Sequence, residues 1–270
     1  MKLSVPVLTL CGLIAMFTDV TVAQGETKSE TAYTGLEIAQ ERKRRDTGWK
    51  DYTANTTMVL RNAHGEESRR VLSVKVLEVE DEGDKSLNVF SYPNDVKGTA
   101  LLSVTYIEQN DDQWLYLPAL KRTKRIASAN QSGPFMGSEF SYEDLTSFEV
   151  AKYNYDLIGE ESCPEVEAAC FKLQATPTYD NSGYQKLVIW IDQEHYRPQK
   201  ADFYDLRGNH LKTLMYREYQ RYNDQFWRPH LLVMTNHQTG KSTDLVTSDI
   251  AFGNGLSDRD FHPNILTRLR

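Results

Sequence analysis

Six histidines are present, His64, His195, His210, His230, His237 and His262. None is spaced as H-E-x-x-H or as another close metal motif. His230 and His237 fall in one strand region, but seven apart they take opposite faces of a strand. There is no G-x-S-x-G elbow and no Gly-rich phosphate loop. The acid pairs Asp111-Asp112 and Glu160-Glu161 sit among turn residues and read as solvated loops. The expectation is therefore a non-enzymatic chain with no metal and no cofactor. Two features still look like sites. Lys121, Arg122, Lys124 and Arg125 put four cations into five positions. They are either a solvated hairpin tip or a contact for anionic headgroups or an acidic partner. Phe135-Met136 stands between Gly133-Pro134 and Gly137, so two large apolar residues sit between chain breakers. They either plug the core or form the apolar tip of a lid, with Met able to repack around variable guests and the glycines serving as hinges.

The elements that must hold these residues are mostly strands. After Trp49, β-prone runs are predicted over 52–60, 67–80, 85–92, 99–108, 113–117 and 123–128. A second series covers 151–159, 169–176, 184–192, 200–206, 211–222, 226–235 and 242–250. Asn110-Asp111-Asp112, Asn181-Ser182-Gly183 and Arg207-Gly208-Asn209 are among the turn signals between them. Strands at hairpin spacing without alternating helices predict an antiparallel, mainly β fold, one large curved sheet or barrel. Short helices are expected over 32–45, 138–147 and 258–269. In the first, the run Glu41-Arg42-Lys43-Arg44-Arg45 reads as a solvated helix face.

So few helices are thin cover for a wide apolar face, and a guest molecule could fill the gap. On that reading Leu102, Val104, Tyr106, Trp114 and Tyr116 line the cavity from one half of the sheet. Leu187, Ile189, Ile191, Leu214 and Tyr216 line it from the other half. Phe135, Met136 and Phe140 close it. The lining face is a choice between two parities of the strand.

The chain has 270 residues and a net charge of −7. Met1 to Ala23 reads as a secretory leader: Lys2, an apolar run over 3–17, and small residues before Gln24. Losing it removes one cation and one anion, so the charge stays at −7, which argues against nucleic acid. Residues 24–30 are polar and expected to be disordered, and 31–270 are expected to form one domain. An exported chain with a lone close pair, Cys163 and Cys170, predicts a disulfide.

Trp114-Leu115-Tyr116-Leu117-Pro118-Ala119-Leu120-Lys121-Arg122, then Phe135-Met136-Gly137-Ser138 and Phe140-Ser141-Tyr142-Glu143-Asp144-Leu145, resemble the LolA-like outer-membrane lipoprotein-sorting proteins. The nearest branch is the one often encoded beside RND-type (MmpL-like) exporters. The resemblance implies an incomplete β-barrel of LolA/LolB type wrapped around helices. It also implies a periplasmic carrier of lipid or lipoprotein acyl chains, with an inner-membrane RND/MmpL-type transporter as a candidate partner and transient membrane contact. Lys121, Arg122, Lys124 and Arg125 would then meet headgroups or that partner. Two other readings stay open: an accessory subunit of an exporter that binds no lipid, and an envelope hydrolase.

Overall fold

The computed structural model describes Met1 and residues 33–269. The leader expected over 1–23 and the polar stretch 24–30 lie outside the described residues apart from Met1. Thirteen strands form a single antiparallel sheet. The first six are β1 (Asp51–Arg61), β2 (Glu67–Leu77), β3 (Lys85–Tyr92), β4 (Ala100–Val104), β5 (Asp112–Leu117) and β6 (Arg122–Ile126). The other seven are β7 (Tyr153–Ser162), β8 (Ala169–Pro177), β9 (Tyr184–Asp192), β10 (Pro198–Asp205), β11 (His210–Tyr222), β12 (Phe226–Asn236) and β13 (Ser242–Phe252). Each series pairs as a meander, and β1 zips to β13 to join the two. Among the described residues β6 and β7 are the two free edges, and the curved sheet is not closed. This is an incomplete antiparallel barrel, as the resemblance implied.

One α-helix is described, α1 (Gly35–Arg45). Thr34 caps it: its hydroxyl accepts from Glu37 N at 3.2 Å while the Glu37 carboxylate accepts from Thr34 N at 2.7 Å, a reciprocal capping box. Four basic residues in the last turn complement the helix dipole. Ile38 and Ala39 are fully buried, and they set α1 down on the inner face of the sheet. Gly35 permits the approach, since a Cβ there would stand 3.0 Å from the backbone of Tyr155, Asp156 and Leu157. The expected helices over 138–147 and 258–269 are instead short 3-10 turns, at Phe135–Gly137, Glu143–Leu145, Asp258–Phe261 and Pro263–Arg268.

Two covers complete the core. The chain from β6 to β7, residues 127–152, crosses the inner face from one free edge to the other. Phe135 joins Met58, Leu72, Phe90, Leu101 and Leu115. Phe140 joins Ile38 with Leu187, Ile189, Ile191 and Leu214. On the opposite, outer face, Phe261 and Leu266 pack on Leu87, Ala100 and Leu102. β4 is thus covered on both sides, and all five of its residues are buried. On the outer face of β9, Val188 and Trp190 pack against Cys163 and Cys170. Those two cysteines are bridged across the β7–β8 hairpin.

Candidate functional site

The residues expected to line a cavity divide by face. Leu187, Ile189, Ile191 and Leu214 lie on the inner face, where α1 and Phe140 cover them. Leu102, Trp114 and Tyr116 lie on the outer face, against the C-terminal segment. Val104 continues the Leu102 face and is buried, and Tyr106 lies past the end of β4, its hydroxyl 3.5 Å from Asp112. The parity chosen for β4 and β5 is therefore reversed. The inner residues there are Leu101 and Leu115, which meet Phe135. Of the thirteen expected lining residues, Tyr216 alone borders one of the two hollows described below.

The Gly-bracketed loop is a plug rather than a lid. Phe135 and Phe140 are 1% and 2% exposed. Phe135 stacks on Phe90 with ring centres 5.7 Å apart. Polar ties bind the loop to strands on every side. Arg70 donates to the Met136 carbonyl. Glu139 N donates to Thr243 Oγ1 at 3.0 Å, and Gln113 Nε2 to Tyr142 O at 2.9 Å. Lys212 Nζ meets Asp144 Oδ2 at 2.6 Å with both side chains buried, and Tyr184 OH donates to Asp144 at 2.7 Å. Glu143 accepts from Tyr179, Ser182 and Gly183 N at 3.0–3.1 Å, and burial raises its pKa. A loop held from so many strands cannot hinge at its glycines without unpairing buried groups.

Space remains around the C-terminal turn of α1. A hollow of about 540 Å³ lies between that turn and β1, β2, β11 and β12. Both its volume and its partly aromatic lining suit a small-molecule site. Its apolar wall is mostly rings, including Trp49, Tyr52, Phe148, Tyr216, Tyr219 and Trp227. Arginine is the commonest residue of its polar wall. The guanidinium of Arg42 lies 4.0 Å over the Phe148 ring, and that of Arg45 lies 4.3 Å over Tyr196. Arg228 lies 5.6 Å from the ring centres of Trp49, Tyr52 and Phe252 and bonds Asp46 at 2.6 Å. The expected solvated basic face of α1 thus forms a wall of the hollow.

A second hollow, about 670 Å³, lies on the other side of Lys43. It carries Glu78, Glu80, Asp81, Asp84 and Glu149. Lys43 bonds Glu149 at 3.0 Å. Asp84 borders both hollows, and burial pushes its carboxyl up to about 6.

Strand periodicity misses the Tyr219 wall because the backbone breaks step. Tyr216 and Tyr219, three apart, border the same hollow, and Glu218 between them has a φ of 57°. Such a left-handed residue marks a local irregularity that re-aims the side chains after it. Arg228 carries no sequence signal at all, being one cation in an alternating strand.

Elsewhere, the Lys121–Arg125 cations stand exposed on the β5–β6 hairpin. Arg125 pairs with Asp112, its Nε 3.0 Å from Oδ1. His210 and His237, far apart in sequence, place their rings 4.3 Å apart and share the Thr213 hydroxyl. Among the described residues no three His, Cys, Asp or Glu side chains gather as a metal site, and no helix is long and apolar enough to cross a membrane.

Comparison with known proteins places this architecture. A family model described as "-like: Uncharacterized protein" matches residues 82–268. No curated protein matches the chain significantly. A crystal structure from Vibrio parahaemolyticus, described as an outer membrane lipoprotein-sorting protein domain, is 55% identical and superposes with a TM-score of 0.85. The match covers 87% of this chain and 98% of that one. A DUF1329 family protein from Desulfovibrio piger is 28% identical with a TM-score of 0.80, over 86% of this chain and 97% of that one. The LolA superfamily protein NE2245 from Nitrosomonas europaea shares the fold at 21% identity and a TM-score of 0.67, over 86% and 98% of the two chains. By its fold, and by identity along almost the whole Vibrio domain, the chain belongs to the LolA-like outer-membrane lipoprotein-sorting protein family.

Proposed function

We propose that this chain is a periplasmic carrier that holds acyl chains of lipid or lipoprotein inside the open side of its sheet. The observation that carries this reading is the aromatic-walled hollow of about 540 Å³ between α1 and the sheet. The 55% identical Vibrio domain, described as lipoprotein-sorting, supports it. The leader-like residues 1–23 supply the export route. The acyl site is the hollow bordered by Tyr216, Tyr219 and Trp227, and the Leu187–Ile191 face is the packed floor beside it. Burying acyl chain yields about 0.8 kcal/mol per CH₂, so even a partly inserted chain would be held against water.

Native mass spectrometry of protein taken from intact envelopes tests the reading, together with titration of a fluorescent fatty acid. Expected are a co-purifying lipid and saturable binding of the probe. Protein that arrives empty and ignores the probe would remove the proposal. The Lys121–Arg125 hairpin is the proposed contact at hand-over, either with headgroups or with an acidic face of an RND-type transporter. A crosslinker placed at Lys124 should report one of these. If it captures neither, the hairpin is an ordinary solvated tip.

A further inference from the structure

We propose that the hollow beside α1 selects an anionic amphiphile, with guanidinium groups taking the acidic head and ring faces taking the chain. The inference rests on the carrier reading and narrows it to a cargo class. The whole chain carries a net charge of −7. The walls of this one hollow carry seven Lys and Arg side chains against three carboxylates. A low-dielectric cleft lined by one sign of charge concentrates ligands of the other sign.

Most of these cations are already neutralised. Arg228 pairs with Asp46 at 2.6 Å, Arg197 with Asp192 at 2.9 Å, and Lys43 with Glu149 at 3.0 Å. Arg45 pairs with Glu41 at 2.7 Å. Two are different. Arg42 has neither an ion pair nor a hydrogen bond among the described residues. It is only partly exposed, with Phe148 under its guanidinium. Arg221 donates to the Asp224 carbonyl and has no carboxylate partner among the described residues. A guanidinium offers five donors in a planar fork that fits a carboxylate or phosphate two bonds at a time. Holding Arg42 half out of water with every donor unused costs free energy unless something outside the protein accepts them.

The remaining wall says what is attached to that acceptor. Tyr216, Tyr219 and Trp227 present aromatic surface to the hollow, which suits an apolar chain better than a fully hydrated ion. The neighbouring hollow, lined by five carboxylates and Lys43, repels the same head. Between them the two hollows fix the end at which an acidic amphiphile enters.

The test uses the full chain and three matched probes: monomyristoyl lysophosphatidate, monomyristoylglycerol and inorganic phosphate, titrated calorimetrically at low salt. The lysophosphatidate should bind about tenfold tighter than the glycerol ester, the ratio that one charge-assisted hydrogen bond supplies. That ratio should shrink towards one in Arg42→Gln and in Arg221→Gln, and recover in part in Arg42→Lys. An unchanged circular dichroism spectrum and urea midpoint in the variants show that they are folded. In the unaltered protein the preference should fade as salt rises, which needs no variant. Equal affinity for the two lipids overturns the selection by charge while leaving the carrier reading standing. Phosphate binding as tightly as the lysolipid overturns it in favour of a free-anion site. Binding of no lipid at all removes the carrier reading and this inference with it.

Discussion

Asp84 shows how a single buried carboxyl sets a pH response. Its ordinary value is 3.8, and burial in the wall between the two hollows pushes it up to about 6. The native state therefore holds a proton that the unfolded chain gives up earlier. Stability contributed by the neutral acid is full below about pH 4 and is lost as pH rises to about 6. The interval corresponds to about 3 kcal/mol. Asp84→Asn should escape that loss. Urea unfolding at pH 4 and pH 7 should show the variant gaining about 2–3 kcal/mol on the unaltered protein between the two. A constant difference would mean that the native carboxyl keeps its ordinary value.

At the scale of elements, α1 and the crossing segment divide the work of filling the inner face. α1 lies on β7 at Gly35, where any side chain would meet backbone at 3.0 Å. Gly35→Val should lift the helix and cost about 1–3 kcal/mol, the usual range for overpacking. Hydrogen exchange should then quicken in α1 before it quickens in the sheet. The crossing segment is fastened by buried polar bonds and by Phe135, which is 1% exposed. Phe135→Ala should cost about 3–5 kcal/mol in chemical denaturation. A loss below 1 kcal/mol would show that the loop is loosely seated after all, and would restore the lid reading.

For the whole molecule, the sheet is wide enough to need cover on both faces in its first half. The C-terminal segment supplies the outer cover, with Phe261 and Leu266 buried over Leu87 and Leu102. Each such side chain contributes about 1.5–3 kcal/mol. Deleting residues 256–270 should therefore cost about 3–6 kcal/mol and expose an apolar patch on β3–β5. Increased binding of an apolar dye and concentration-dependent association are the measurements to make. The two free edges, β6 and β7, are managed differently. β6 carries Arg122, Lys124 and Arg125, all exposed, and such charges oppose edge-to-edge pairing. β7 receives the helix.

The sequence by itself determined the strand procession, the antiparallel class, the Cys163–Cys170 bridge and the family likeness. Each of these is written in local pattern: turn residues, period-two alternation, a close cysteine pair, a motif of about thirty residues. It could not choose the inner face of β4, because a strand buried on both sides has no polar side to mark the outside. It could not show that the Gly-bracketed loop is clamped, because the clamps are Arg70, Lys212 and Thr243 from distant strands. Nor could it assemble the cationic hollow. Arg42 and Arg221 stand 179 positions apart in the chain, and the closing pair β1–β13 brings its two halves together. Local chemistry writes the strands. Only long-range pairing decides which of their side chains share a wall.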